Sequence, residues 1–65
     1  MDSELKRVRE KRGLMQEEVA QKAGISWRAY QNYEAGSRKP KSDVAIRIAD
    51  VLGVKSYQDF KKIFS

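Results

Sequence analysis

The sequence predicts an all-α fold of five short helices, and three observations predict it. Apolar residues recur at helical spacing in five runs, Ser or Gly brackets most of those runs, and no stretch shows the period-two alternation of a strand. At 65 residues the chain has room for one core, so residues 1–65 are read as a single domain.

Ser3 suits the N-cap of a first helix over Glu4–Arg12, which carries Leu5 and Val8 on one face and stops at Gly13. A second helix begins at Gln16 in "QEEVAQKAG", where Glu17 and Glu18 occupy the positively polarised first turn. Val19, Ala20 and Ala23 give it an apolar face, and Gly24 ends it. Ser26 caps a third helix over Trp27–Ala35, closed by Gly36. The polar loop "SRKPKS", broken at Pro40, leads to "DVAIRIADVLG", in which Ala45, Ile48, Ala49 and Leu52 form one stripe that ends at Gly53. In "SYQDFKKIF", Ser56 and Asp59 resemble a capping box, and Tyr57, Phe60 and Phe64 repeat on one face of a fifth helix.

Helices of two to three turns do not persist alone, because nucleating a helix costs more than a few hydrogen bonds return. They must share one core. It is expected to hold Leu5, Val8, Leu14, Val19, Ala20, Ala23, Ile25, Tyr30, Tyr33, Ala45, Ile48, Ala49, Leu52, Val54 and Phe60.

The composition narrows function by exclusion. With no Cys and no His, the chain has no disulfide, no thiolate or imidazole metal ligand and no His-based nucleophile activation, so neither an enzyme nor a metal or cofactor is expected. No apolar run approaches the roughly 18 residues of a membrane span, and "MDSELKRVRE" lacks a signal-peptide core. A cytoplasmic protein without a membrane partner is expected. Fourteen Lys and Arg against nine Asp and Glu leave a net charge of +5, a bias toward polyanions.

The third helix sharpens that bias. At about 100° per residue, Ala29, Tyr30 and Tyr33 share one arc, while Trp27, Arg28, Gln31, Asn32 and Ala35 cluster on the other side. The outward cluster holds neither Lys nor Glu. Its guanidinium and carboxamides suit base edges, Arg toward guanine and Asn or Gln toward adenine, and an apolar side chain can meet a thymine methyl. Trp27 can alternatively fold over the core or lie on a sugar-phosphate edge. Tyr30 and Tyr33 are read as structural, with hydroxyls placed to emerge toward a phosphate.

Taken together, "QEEVAQKAGISWRAYQNYEAGSRKPKSDVAIRIADVLGV" resembles the helix-turn-helix domains of the Cro and lambda-type repressors, the XRE family. The resemblance is carried by Gln16, the "A-x-x-x-G-I-S" turn at Ala20–Ser26, Glu34 followed by Gly36, Pro40, and "LGV" at Leu52–Val54, with "LKRVREKRGL" at Leu5–Leu14 ahead of them. It implies a compact lambda-repressor-like five-helix domain whose helix-turn-helix is formed by helices two and three, the third entering the DNA major groove.

Carried onto this chain, the family's early base contacts fall on Trp27 and Arg28 and its later base-contacting amide on Asn32, with Gln31 as a neighbouring candidate. The resemblance also implies a phosphate contact by Gln16 and a backbone grip by Ser37, Arg38, Lys39 and Lys41. It further implies a structural ion pair between Arg9 and Glu34. Two positions depart from the family pattern: Met15 cannot cap helix two, forfeiting about 1 kcal/mol, and Trp27 replaces a smaller polar residue.

The function these features imply is sequence-specific binding to double-stranded DNA by a transcriptional regulator, more often a repressor in this family. One small module makes few contacts, so a homodimer on a palindromic operator is expected. Tyr57, Phe60, Ile63 and Phe64 are the expected dimer surface, since so small a core cannot absorb every aromatic on the last helix. The alternative is a module for a protein partner, such as an antitoxin or anti-regulator, built on the same fold.

Overall fold

Hydroxyl caps open three of the helices: Ser3 Oγ accepts from the Lys6 N–H at 3.1 Å, Ser26 Oγ from Ala29 at 3.1 Å and Ser56 Oγ from Asp59 at 3.0 Å. Each satisfies an amide that the first helical turn leaves unpaired. The computed structural model describes residues 3–64. Its helices are α1 Glu4–Lys11, α2 Gln16–Ala23, α3 Trp27–Ala35, α4 Ser42–Val51 and α5 Tyr57–Phe64. No strand occurs among the described residues.

The helix ends differ slightly from expectation. Helix α1 stops at Lys11, with Arg12 serving as its cap before Gly13 turns left-handed at φ 71°. Helix α4 starts at Ser42 on Lys41, whose side chain makes no cap bond. Met15 likewise gives α2 no side-chain cap, but Glu18 Oε1 accepts from the Met15 N–H at 2.9 Å. That bond is the return half of a capping box and recovers part of what Met15 forfeits.

Between α2 and α3 the chain turns at Gly24, whose φ of 72° lies in the left-handed region that side chains with a Cβ avoid. The Ile25 N–H then closes back on the Ala20 carbonyl at 3.0 Å. This turn fixes α3 against α2, and α2 also packs along α4, while α1 rests on α3 and α5. Ala20, Ala23, Ala45 and Ala49 are all buried, and side chains this small let α2 and α4 approach closely. Arg47 of α4 adds a tie, donating through Nε to the Ala23 carbonyl at 2.9 Å.

Leu5, Val19, Ala20, Ala23, Tyr30, Ile48 and Leu52 form the buried centre, with Val8, Leu14, Ile25, Tyr33 and Val54 partly buried around it. Phe60 departs from its expected place. It is only half-buried and stacks on Phe64 with ring centroids 4.9 Å apart, while Ile63 and Phe64 pack against the core instead. The reason is where α5 docks: its contact is with α1, which turns the last helical turn inward.

One charged pair sits inside this apolar setting. Arg9 and Glu34 are 9% and 7% exposed, and Arg9 Nε donates to Glu34 Oε2 at 2.6 Å while Nη2 donates to Oε1 at 3.3 Å. Arg9 Nη1 also donates to the Leu14 carbonyl at 2.8 Å. The pair therefore joins α1, the α1–α2 connection and α3. Burial opposes the charge on Glu34, but hydrogen bonds, that from Arg9 foremost, outweigh it and hold the carboxyl below its usual range. The same bond raises the Arg9 guanidinium above its already high value.

Glu34→Ala leaves a buried cation without its partner and is expected to cost about 3–5 kcal/mol in urea titrations. That approaches the whole stability of a domain this size, on the order of 5 kcal/mol. Because the folded pKa of Glu34 lies below the unfolded value of about 4.3, the pair contributes fully above that pH and less as pH falls through it. Urea midpoints of the unsubstituted protein should therefore drop more steeply between about pH 5 and pH 3 than those of Glu34→Gln.

Candidate nucleic-acid interface

Helix α3 presents two unlike faces. Tyr30 is wholly buried and Tyr33 half-buried, whereas Trp27, Arg28 and Gln31 are exposed and Asn32 is partly so. Tyr30 does not send its hydroxyl outward as expected. Its oxygen is buried with no hydrogen-bond partner among the described residues, and burial, reinforced by the adjacent Glu34 carboxylate, pushes its pKa well above the ordinary phenol value. It stays a protonated phenol within the core, out of reach of any phosphate.

The outward groups differ in how they are held. Gln16 Nε2 donates to Glu34 Oε1 at 2.9 Å, and a carboxylate can only accept, so this bond fixes which end of the Gln16 amide faces inward. Its Oε1 then points to α3, where it accepts from Trp27 Nε1 at 3.4 Å and from Gln31 Nε2 at 3.5 Å. A continuous chain thus runs from Arg9 through Glu34 and Gln16 to two of the outward side chains. Arg28 and Asn32 have no side-chain hydrogen bond or ion pair with any described residue.

Ser37, Arg38, Lys39 and Lys41 are all exposed in the loop between α3 and α4. None of these side chains bonds to another described residue. The Ser37 N–H does close on the Asn32 carbonyl at 3.0 Å, next to the left-handed Gly36 that ends α3. The loop therefore leaves α3 on a defined turn with its cations turned to solvent. The only acid on α3 is Glu34, and it is buried against Arg9. The exposed part of α3 and the following loop together carry cations, amides and an indole without a carboxylate, an arrangement suited to a polyanion with readable edges.

The four aromatic and aliphatic side chains expected to form a dimer surface are divided by the structure. Tyr57 is 74% exposed and Phe60 half-buried, and both line an apolar groove of about 570 Å³ with Ile46, Ala49 and Val54. Ile63 and Phe64 instead serve the protein's own core. Ile46, 60% exposed, belongs to the groove and was not anticipated, since it lies off the α4 stripe that points inward.

Two further contacts escaped sequence reasoning. The Glu18 return bond has a local signal, an acid three residues after the cap position. The Gln16 bridge has none, because it depends on the start of α2 lying against the length of α3 from Trp27 to Glu34. Among the described residues no cluster of acids could hold a metal, and no helix is long and apolar enough to cross a membrane.

Comparison with known proteins agrees with the fold. Residues 5–59 match the helix-turn-helix family. Over 50 residues, 77% of this chain, the sequence is 42% identical to the uncharacterized HTH-type transcriptional regulator YqaE of Bacillus subtilis (strain 168). The matched stretch covers 43% of that relative, so the chain spans less than half of its length. No solved structure matches the chain.

Gln16→Ala is expected to release the indole while costing about 1.5–3 kcal/mol of stability, the worth of a hydrogen bond to a charged group. Trp27 is the sole tryptophan, so its fluorescence reports the change directly. Acrylamide quenching should rise and anisotropy fall in the variant, with helical circular dichroism unchanged.

Proposed function

The chain belongs to the helix-turn-helix family, and on that premise we propose that it is a transcriptional regulator that binds double-stranded DNA sequence-selectively, with α3 in the major groove. The observation that carries this reading is the acid-free outward face of α3, where Trp27, Arg28, Gln31 and Asn32 are offered beside the cationic loop. Arg28, without a side-chain bond to any other described residue, would donate to guanine O6 and N7, and Asn32 would pair with adenine. Arg38, Lys39 and Lys41, with Ser37, would hold the phosphate backbone and set the register.

Gln16 has one amide hydrogen committed to Glu34. Its second can meet a phosphate at the start of α2, where the helix dipole favours an anion. Repression follows as the simplest outcome of a bound domain that occludes its site. Such a regulator would act in the cytoplasm, where its DNA lies.

Selective binding by so small a module calls for two copies on a palindromic operator, contacting major-groove faces about 34 Å apart. The groove lined by Ile46, Tyr57 and Phe60 is the surface offered for pairing, with Phe64 packed against Phe60 behind it. The same exposed apolar groove supports a second reading, in which the domain docks on a protein partner and DNA binding is subordinate.

Selection of bound sequences from a random duplex pool tests the first reading, which requires an enriched symmetric site. Arg28→Ala should then weaken that site by about 1–3 kcal/mol and relax preference at one base position. Lys39→Ala should instead weaken all duplexes alike and lower the salt slope by about 1. Salt-insensitive capture of a co-expressed protein, with no enriched duplex, would favour the second reading.

A further inference from the structure

An indole has one polar hydrogen and no acceptor, so what Trp27 can offer a partner depends on where that hydrogen goes. It goes inward. Trp27 Nε1 faces Gln16 Oε1 at 3.4 Å, and the Gln16 amide is held in that orientation by Glu34, itself clamped by Arg9. Turning the N–H toward a base would detach the indole from the far end of this chain. Yet Trp27 is 48% exposed at the first position of α3. The surface it shows is therefore hydrocarbon.

Among the groups lining the major groove, the thymine 5-methyl is the apolar one, and the other features of the base edges are donors and acceptors. We propose that Trp27 is a specificity-determining residue that selects thymine by burying its 5-methyl group against the indole ring, without a hydrogen bond to the base. This assignment rests on the DNA-binding reading above. Arg28, next to it and without a bond to any other described residue, supplies polar readout at an adjacent position. Gln16 acts as a positioning residue that keeps the ring edge toward the groove.

The test uses the duplex enriched by the unsubstituted protein, with each thymine replaced in turn by deoxyuridine, which removes the methyl and nothing else. Affinities are measured by anisotropy at fixed salt for the unsubstituted protein, Trp27→Phe and Trp27→Ala, with folding checked by circular dichroism. At one thymine position per bound protomer, the unsubstituted protein should lose about fourfold in affinity, the worth of one buried methyl. Trp27→Phe, which keeps a ring but loses the N–H through which Gln16 holds it, should retain part of that loss. Trp27→Ala should erase it while leaving discrimination at guanine and adenine positions in place.

Uracil tolerated at every position, together with uniform weakening of all duplexes by Trp27→Ala, would assign the indole to the sugar-phosphate edge and overturn the proposal. So would a uracil effect that persists undiminished in Trp27→Ala, because a different side chain would then cover the methyl. Either result leaves the DNA-binding reading standing. Failure to enrich any duplex would remove that reading, and this assignment with it.

Discussion

The buried pair of Arg9 and Glu34 is the constraint on which the rest of the structure depends. A domain of 65 residues can bury few side chains, and placing two charges among them is unfavourable unless each finds its partner and further hydrogen bonds. Here both conditions hold: a two-point contact joins the guanidinium to the carboxylate, the Leu14 carbonyl takes another guanidinium hydrogen, and the Gln16 amide donates to Glu34. Apolar contacts tolerate sliding, since they are nearly non-directional. A forked ionic contact does not, and it locks the rotation of α3 about its own axis relative to α1. The outward direction of the remaining α3 side chains follows from that lock.

Much of this was legible in the chain because the fold is made from local signals. Ser3, Ser26 and Ser56 cap where their type and place suggested, and Gly24 and Gly36 end helices in the left-handed conformation. The inward stripe of α4 is also apparent, since Ala45, Ile48, Ala49 and Leu52 recur at helical spacing and all are buried. Such features need only neighbours in sequence. The last helix was less legible: Tyr57, Phe60, Ile63 and Phe64 are all apolar enough to face inward, and spacing alone does not say which edge meets α1. Phe60 and the Ile63–Phe64 pair accordingly exchanged their expected places.

The outward face of α3 was readable as a set of residue types, but not as a set of bonds. Periodicity separates Trp27, Arg28, Gln31 and Asn32 from Tyr30 and Tyr33, and the structure exposes the first three and buries Tyr30, while Asn32 and Tyr33 are both half-buried. Periodicity does not disclose that the Gln16 oxygen gathers the indole and the Gln31 amide, because those groups lie 11 and 15 residues away along the chain. Nor does it disclose that the Tyr30 hydroxyl is buried beside Glu34, since an aromatic ring on an inward arc can end either inside or at the rim. Contacts distant in sequence are set by how whole helices meet, and that is decided by the sum of many packing terms.

The unequal tethering of the α3 side chains bears on how such a domain can diverge. Arg28 and Asn32 make no side-chain bond to another described residue, so under the proposed DNA-binding role drift at either would retune selectivity one base at a time without disturbing the scaffold. Trp27 and Gln31 share an acceptor on Gln16, which is bonded in turn to the internal carboxylate. Descendants of this lineage would therefore be expected to exchange these last two as a concerted group, with Gln16 changing alongside them, while Arg28 and Asn32 vary freely.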